Sequence, residues 1–293
     1  FFNQADRQVF NVVLPSIRDD LGLTDARMGL VATVLLLVCG VLVPLAGVVG
    51  DTFNKKRIVV LSLLVWSCAT LATGWSFSLW HLILLRSVAT GGGEAFYFPP
   101  ASALIGEAHD RTRATALSLH QTAVYVGIIC SGYVAGRIAD VCGWRMAFYV
   151  FGGCGVALAF VLMRRLRSTA APVHGSAPQA GGGAARVGLG AAIFGKPSFF
   201  LLALAFAGMN FVGVGFLVWM PTFLHERYGY SLARAGFDAT FSHHIAAFVG
   251  VLAAARITDA WAARSRVARA VVPMLGLLAG APVIYLIGTR DRK

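Results

Sequence analysis

Two apolar runs, at 28–49 and 58–77, are joined by a short loop that carries three consecutive cations, Lys55, Lys56 and Arg57. Each run can cross a bilayer, since a membrane helix needs about 20 mostly apolar residues at ~1.5 Å rise each. Three cations in so short a connection place it on the cytoplasmic side, where Lys and Arg collect. Gly47 and Gly50 suit close approach of two helices. Asp51 ends the second span, where a carboxylate can meet a helix N-terminus or an arginine. Asn54 is expected to take the left-handed turn of a tight reversal.

The rest of the chain repeats this grammar. Of 293 residues 57% are hydrophobic and only 13% are charged, about half the charged share of a soluble domain. The net charge of +12 sits in short loops, with no basic stripe of interleaved exposed aromatics. Nucleic acid is therefore not an expected partner; anionic lipid and the positive-inside bias account for the cations. Cys39, Cys68, Cys130, Cys142 and Cys154 show no metal spacing and read mostly as small hydrophobes in apolar runs. The chain opens on Phe-Phe inside an apolar run and closes just after another, as a piece of a longer protein would.

Nine spans follow from the runs, and the fold class is an all-α, polytopic membrane helix bundle. Thr24 or Asp25 is placed to cap the second span. Gly127, Gly132 and Gly136 give the fifth a small-residue face. Residues 1–163 form a first part and 164–197 an Ala/Gly/Pro/Ser-rich, flexible cytoplasmic connector. Residues 198–293 hold spans seven to nine. Loop charges alternate as one orientation requires. Lys55, Arg57, Arg111, Arg113, Arg164, Arg165, Arg264 and Arg266 fall inside; Arg18, Arg27, Arg145 and Arg227 fall outside. Asp259 ends span eight as Asp51 ends span two, and cations again follow, a degenerate internal repeat.

Asp6, Arg7, Arg86 and Glu94 lie within apolar runs, where a charge costs roughly 3 kcal/mol even on the lenient scale. Asp6 lies ~16 Å from the outer end of span one; Arg86 and Glu94 lie ~10 and ~22 Å into span four. The four can therefore meet near the midplane, either as a working site or as a static network that locks helices together. Arg86 and Glu94 are eight residues apart, which leaves them ~80° out of line on a regular helix. A one-residue π-bulge at Gly91, Gly92 and Gly93 would restore the register, and Pro99 and Pro100 add a kink.

The loop Gly47, Asp51, Lys55-Lys56-Arg57 resembles the signature between the second and third helices of the major facilitator superfamily; Thr52 stands where many members carry Arg. With Asp6-Arg7-Gln8 and the stretch from Arg86 to Tyr97, the chain resembles the spinster-like subfamily most. The anion:cation symporter subfamily also carries Asp-Arg in span one and Glu-Ala in span four, and Phe98-Pro99 leans that way. The resemblance implies two pseudo-repeated six-helix halves, the second cut here to about three helices. It also implies that the first and fourth helices line one cavity. The function it implies is a proton-coupled secondary transporter for an amphipathic or anionic, lysolipid-like solute, or alternatively for a small organic acid.

Residue by residue, Asp6 and Glu94 are expected to exchange protons, with burial and the neighbouring arginines pulling their proton affinity in opposite directions. Arg7 and Arg86 are expected to meet the solute, with His120, Tyr125 and Asn210 as lesser candidates. Gly47, Asp51, Lys55, Arg57, Arg113 and Asp259 form a cytoplasmic gate, and Gly91, Gly92, Gly93 and Pro99 a hinge. No metal or cofactor is expected, nor enzymatic activity: no nucleophile or metal set lies at depth, and no phosphate-binding loop is present. The expected partners are a small-molecule or lipid-like substrate, protons and membrane lipid. The expected setting is a monomer in a bacterial inner membrane. A receptor that moves no solute is the remaining rival.

Overall fold

The computed structural model describes residues 1–109, 112–166 and 197–262, and beyond these 271–272, 274–276, 278–280, 282 and 285. Among these residues every long element is helical. In order they are α1 (Phe2–Asp20), α2 (Asp25–Thr52), α3 (Lys55–Thr73), α4 (Leu79–His81), a π-helix (Leu82–Ala89), α5 (Thr90–Ala95), α6 (Phe98–Ala108), α7 (Arg113–Cys142), α8 (Trp144–Arg165), α9 (Pro197–Tyr228) and α10 (Leu232–Ala262). The fourth span is thus four pieces in series. Five helices reach membrane-crossing length and hydropathy on their own: α2, α3, and the apolar stretches of α7, α8 and α9. Most of the connector and about half of span nine fall outside the described residues.

Loop side chains set where the helices begin. Thr24 accepts the Arg27 N–H, Asn54 that of Arg57 and Ser78 that of His81, at 3.4, 3.3 and 3.4 Å. Each satisfies a donor that the first turn leaves open. Asn54 corrects the sequence reading: at φ −64° and ψ 110° it is an extended N-cap, not a left-handed turn. A left-handed position does occur between α7 and α8, at Gly143 (φ 85°), where a Cβ would strain the link.

The chain forms two compact units, one built on 1–186 with 215–240, the other on 187–214 with 241–293. In the first, small residues bring helices together. A Cβ on Gly152 would meet the Leu71 backbone 2.5 Å away, and one on Gly155 would strike Ser67, so α8 lies tightly on α3. Leu63, Trp66 and Ala159 fill that seam. On α7, a Cβ on Gly127 would lie 2.7 Å from the Phe1 carbonyl oxygen and one on Gly132 2.7 Å from that of Gly236; Gly136 abuts Ala233. Gly50 packs on Pro100, whereas a Cβ on Gly47 would meet no described atom within 4 Å. Close helix approach at Gly47 is therefore corrected. In the second unit, α9 shows Leu201, Phe206 and Phe211 exposed, an apolar surface that suits lipid rather than water.

Candidate functional site

The fourth span brings two charges of opposite sign to one side. The backbone N–H of Thr90 reaches the Leu85 carbonyl, a five-residue closure, and the Thr90 hydroxyl donates to the same oxygen at 2.9 Å. One extra residue is absorbed in this wide turn, so eight positions act as about seven, nearly two full turns. The register correction that the spacing demands is present, but it lies one turn before the glycines. Gly91, Gly92 and Gly93 are ordinary α-helix in α5. They serve close packing: a Cβ on Gly91 would lie 3.2 Å from the Leu35 carbonyl, and one on Gly93 2.9 Å from Trp66 Cβ. Bulges sit where a side chain needs re-aiming, not where the backbone is weakest; the glycines had a packing demand to meet. Further along, the helix breaks at Phe96 and Tyr97, and Pro99 and Pro100 fall in the first turn of α6, where proline's missing N–H does little harm.

Asp6, Arg86 and Glu94 are all buried, at 1, 2 and 3% exposure. Arg7 Nε donates to Glu94 Oε2 at 2.6 Å. Arg86 Nη2 donates to the backbone carbonyl of Asp6 at 3.0 Å, and its guanidinium lies over the Phe10 ring, 5.3 Å from the centroid. Thr70 donates to Asp6 Oδ2 at 3.2 Å. The Cys39 thiol lies 3.5 Å from both Arg7 Nη2 and the Gly91 carbonyl. Burial and pairing are uneven. Asp6 Oδ1, Glu94 Oε1 and Arg86 Nε and Nη1 are buried with no hydrogen-bond partner among the described residues. Arg7 keeps 31% of its side chain exposed against 1% for Glu94, so it is the accessible edge of the cluster.

The other expected positions are scattered. His120 shares a 3.2 Å hydrogen bond with the Tyr97 hydroxyl, and Tyr97 meets Trp66 edge-on at 5.2 Å. Tyr125 is half exposed. Asn210 donates to its own helix, to the Phe206 carbonyl at 2.9 Å. At the expected gate, Lys55 pairs with Glu107 at 2.9 Å, a partner the loop pattern did not indicate. The Arg57 N–H is the one Asn54 caps. The side chains of Asp51, Arg113 and Asp259 lie outside the described atoms. Thr70, Trp66, Phe10 and Cys39 also belong to the cluster; only Thr70 had a signal, a hydroxyl inside an apolar run.

A second set of charges ties the C-terminal end of α1 to neighbouring helix ends, on the side that the loop charges assign to the outside. Arg18 at the end of α1 reaches Asp19, Asp25 and Glu226 at 2.8, 2.9 and 2.6 Å. Hydrogen bonds to Asp25 foremost, then Asp19 and Glu226, hold its guanidinium above the ordinary arginine range, against a smaller opposing effect of burial. Asp20 takes Arg145 at 2.7 Å and Trp144 Nε1 at 3.3 Å. Asp140, near the end of α7, accepts the N–H groups of Leu232 and Ala233, both at 3.0 Å. A carboxylate thus sits on the N-terminus of α10, which favours negative charge.

A bundle of membrane-length apolar helices with ionisable groups buried inside it is the architecture of a multi-pass membrane protein. The family model of the Major Facilitator Superfamily matches residues 1–290, and the chain belongs to that family. It is similar to protein spinster homolog 1 of Homo sapiens, 33% identical over 232 residues, covering 76% of this chain and 43% of that protein. It is also similar to the hexuronate transporter of Bacillus subtilis, 25% identical over 267 residues, covering 88% and 61%. Among solved structures, a bacterial homolog of the human lysosomal transporter Spinster, inward-facing and unoccupied, matches with a TM-score of 0.77. Identity there is 25%, with 90% of this chain and 61% of that one covered. The chain spans about half the length of the curated relatives it matches. It is an integral, multi-pass membrane protein.

Proposed function

We propose that this chain is part of a proton-coupled secondary transporter for an anionic or amphipathic organic solute, working by alternating access. The observation that carries the reading is the Arg7–Glu94 pair beside the under-satisfied Arg86. With both carboxylates ionised, the four groups are formally neutral. Adding an anion leaves one uncompensated negative charge in a medium where that is costly. Protonating Glu94 or Asp6 restores balance; on Glu94 it also weakens the ion pair and frees Arg7, the more exposed member, for the solute. Proton and anion are therefore favoured together. The Asp51 and Asp259 loops act as inner latches, and the break at Phe96 and Tyr97, just before Pro99, supplies the bend.

The spinster-like resemblance implies a lysolipid-like solute, amphipathic and charged at one end. The hexuronate relative supports the second reading, a small organic acid carried with a proton; Arg7 and Arg86 suit either carboxylate or phosphate. The test is transport by the full-length protein in proteoliposomes. Asp6→Asn or Glu94→Gln is expected to abolish uptake driven by a pH gradient yet leave solute exchange, because the amide mimics the protonated state. Concentrative uptake by both variants would overturn the coupling. A thermal-shift screen against lysolipids and small organic acids separates the two solute classes.

A further inference from the structure

Two adjoining cavities lie along the α7–α10 contact. One, of about 570 Å3, is lined by Tyr133, Arg137, Asp140, Ser231, Arg234 and Phe237 among others. The other, of about 330 Å3, is lined by Ile129, Cys130, Tyr133, Val134 and Phe237 alone. They share the rings of Tyr133 and Phe237, which stand edge to face at 6.3 Å. A compartment with two arginines therefore passes, across a pair of aromatic rings, into one with no charge.

The order along α7 gives this pair of cavities a direction. The helix ends at Cys142, so Arg137 lies ~8 Å inside its outer end, and Ile129 ~12 Å deeper still. That puts the arginine near the boundary of headgroups and acyl chains, with the apolar walls below it. Arg137 has no acidic partner among the described residues. Asp140 has both oxygens on the first N–H groups of α10, which offsets its charge. Arg234 stacks on Tyr230 at 3.9 Å and reaches Asp238 only at 3.4 Å. A cation at this depth needs either a route to the headgroup layer or a bound anion.

We propose that the two cavities together hold one membrane phospholipid with an anionic headgroup. Its phosphate lies on Arg137 and Arg234, and an acyl chain follows Ile129, Val134 and Phe237. The order of polarity along the helix matches a lipid and not a free anion, which would leave the apolar half unused. The lipid is a resident ligand and not the solute, because the cavities share no residue with the α1 and fourth-span cluster. Lying beside the Gly132–Gly236 contact, it clasps α7 to α10 and favours the closed outer rim.

The experiment is native mass spectrometry of the full-length protein in detergent, with phosphatidylglycerol, phosphatidylcholine or inorganic phosphate added. Phosphatidylglycerol is expected to be retained over phosphatidylcholine by about fivefold, the value of one arginine near a lipid surface. Arg137→Gln is expected to lose that preference and Arg137→Lys to keep most of it. Val134→Trp, which fills the apolar groove, is expected to weaken retention of both lipids without changing their ratio. Melting temperatures show whether each variant is folded, and the conservative Lys variant keeps the test decisive if Gln fails. Equal retention of the two lipids, an unchanged preference in folded Arg137→Gln, or equal protection by inorganic phosphate would overturn the proposal.

Discussion

Arg18 at the outer rim and Arg86 in the bundle interior are both guanidiniums held away from bulk water, yet their surroundings differ. Arg18 reaches three carboxylates, one of them on α9. Arg86 is far more buried but makes one hydrogen bond to a backbone carbonyl and leaves two nitrogens without a partner among the described residues. The rim is over-satisfied where water would have served almost as well. The interior is under-satisfied where each missing bond is expensive. Pairing at the rim therefore ties helix ends together, while the interior leaves charged groups under-satisfied. That division suits the proposed alternating access, in which a latch is cheap to break and the charge state of the core decides when it breaks.

Three substitutions test this contrast. The largest loss is expected inside. Glu94→Ala leaves Arg7 without its 2.6 Å partner, and breaking a buried pair costs about 3 kcal/mol. The melting temperature of the purified full-length protein should fall by several degrees; an unchanged value would mean that the pair is not formed in the resting state.

Next comes the seam beside the rim. Gly132→Val forces a side chain against the Gly236 carbonyl, where even a Cβ would be 2.7 Å away. Overpacking of this kind costs about 1–3 kcal/mol. The cost is expected to appear as outer opening, read as faster labelling of a cysteine introduced on the outer part of α10. If labelling does not change, the two backbones do not close the outer end.

The smallest effect is expected at the rim itself. Glu226→Gln removes one of three carboxylates from Arg18, and because Glu226 is 44% exposed the change is screened to about 1 kcal/mol or less. It should shift the labelling rate a few-fold, and less in high salt than in low. A loss as large as that of Glu94→Ala would erase the distinction between rim and interior.

What the sequence determined by itself were properties carried along the chain. Helix-length apolar runs, cations in alternate loops and a capping residue at Thr24 are local, because backbone groups in a bilayer must be satisfied within one segment. The need for a wide turn was also legible, since Arg86 and Glu94, eight positions apart, cannot share a face of a regular helix. Its location was not, because only packing showed that Gly91 and Gly93 were committed to α2 and α3. Asn54 likewise was readable as a loop residue, but its role as an N-cap depended on backbone angles.

The partners themselves were decided by the tertiary structure. Arg7 with Glu94, Arg86 with the Asp6 carbonyl, Lys55 with Glu107 and Arg18 with Glu226 are each a match between distant segments. Any of several charges could have served each of them. Which one does depends on how far each helix slides and turns against its neighbours, and that is set by close contacts such as Gly152 on Leu71 and Gly132 on Gly236. A charge pattern carries the cost of burial; only the packed bundle decides which opposite charge offsets it.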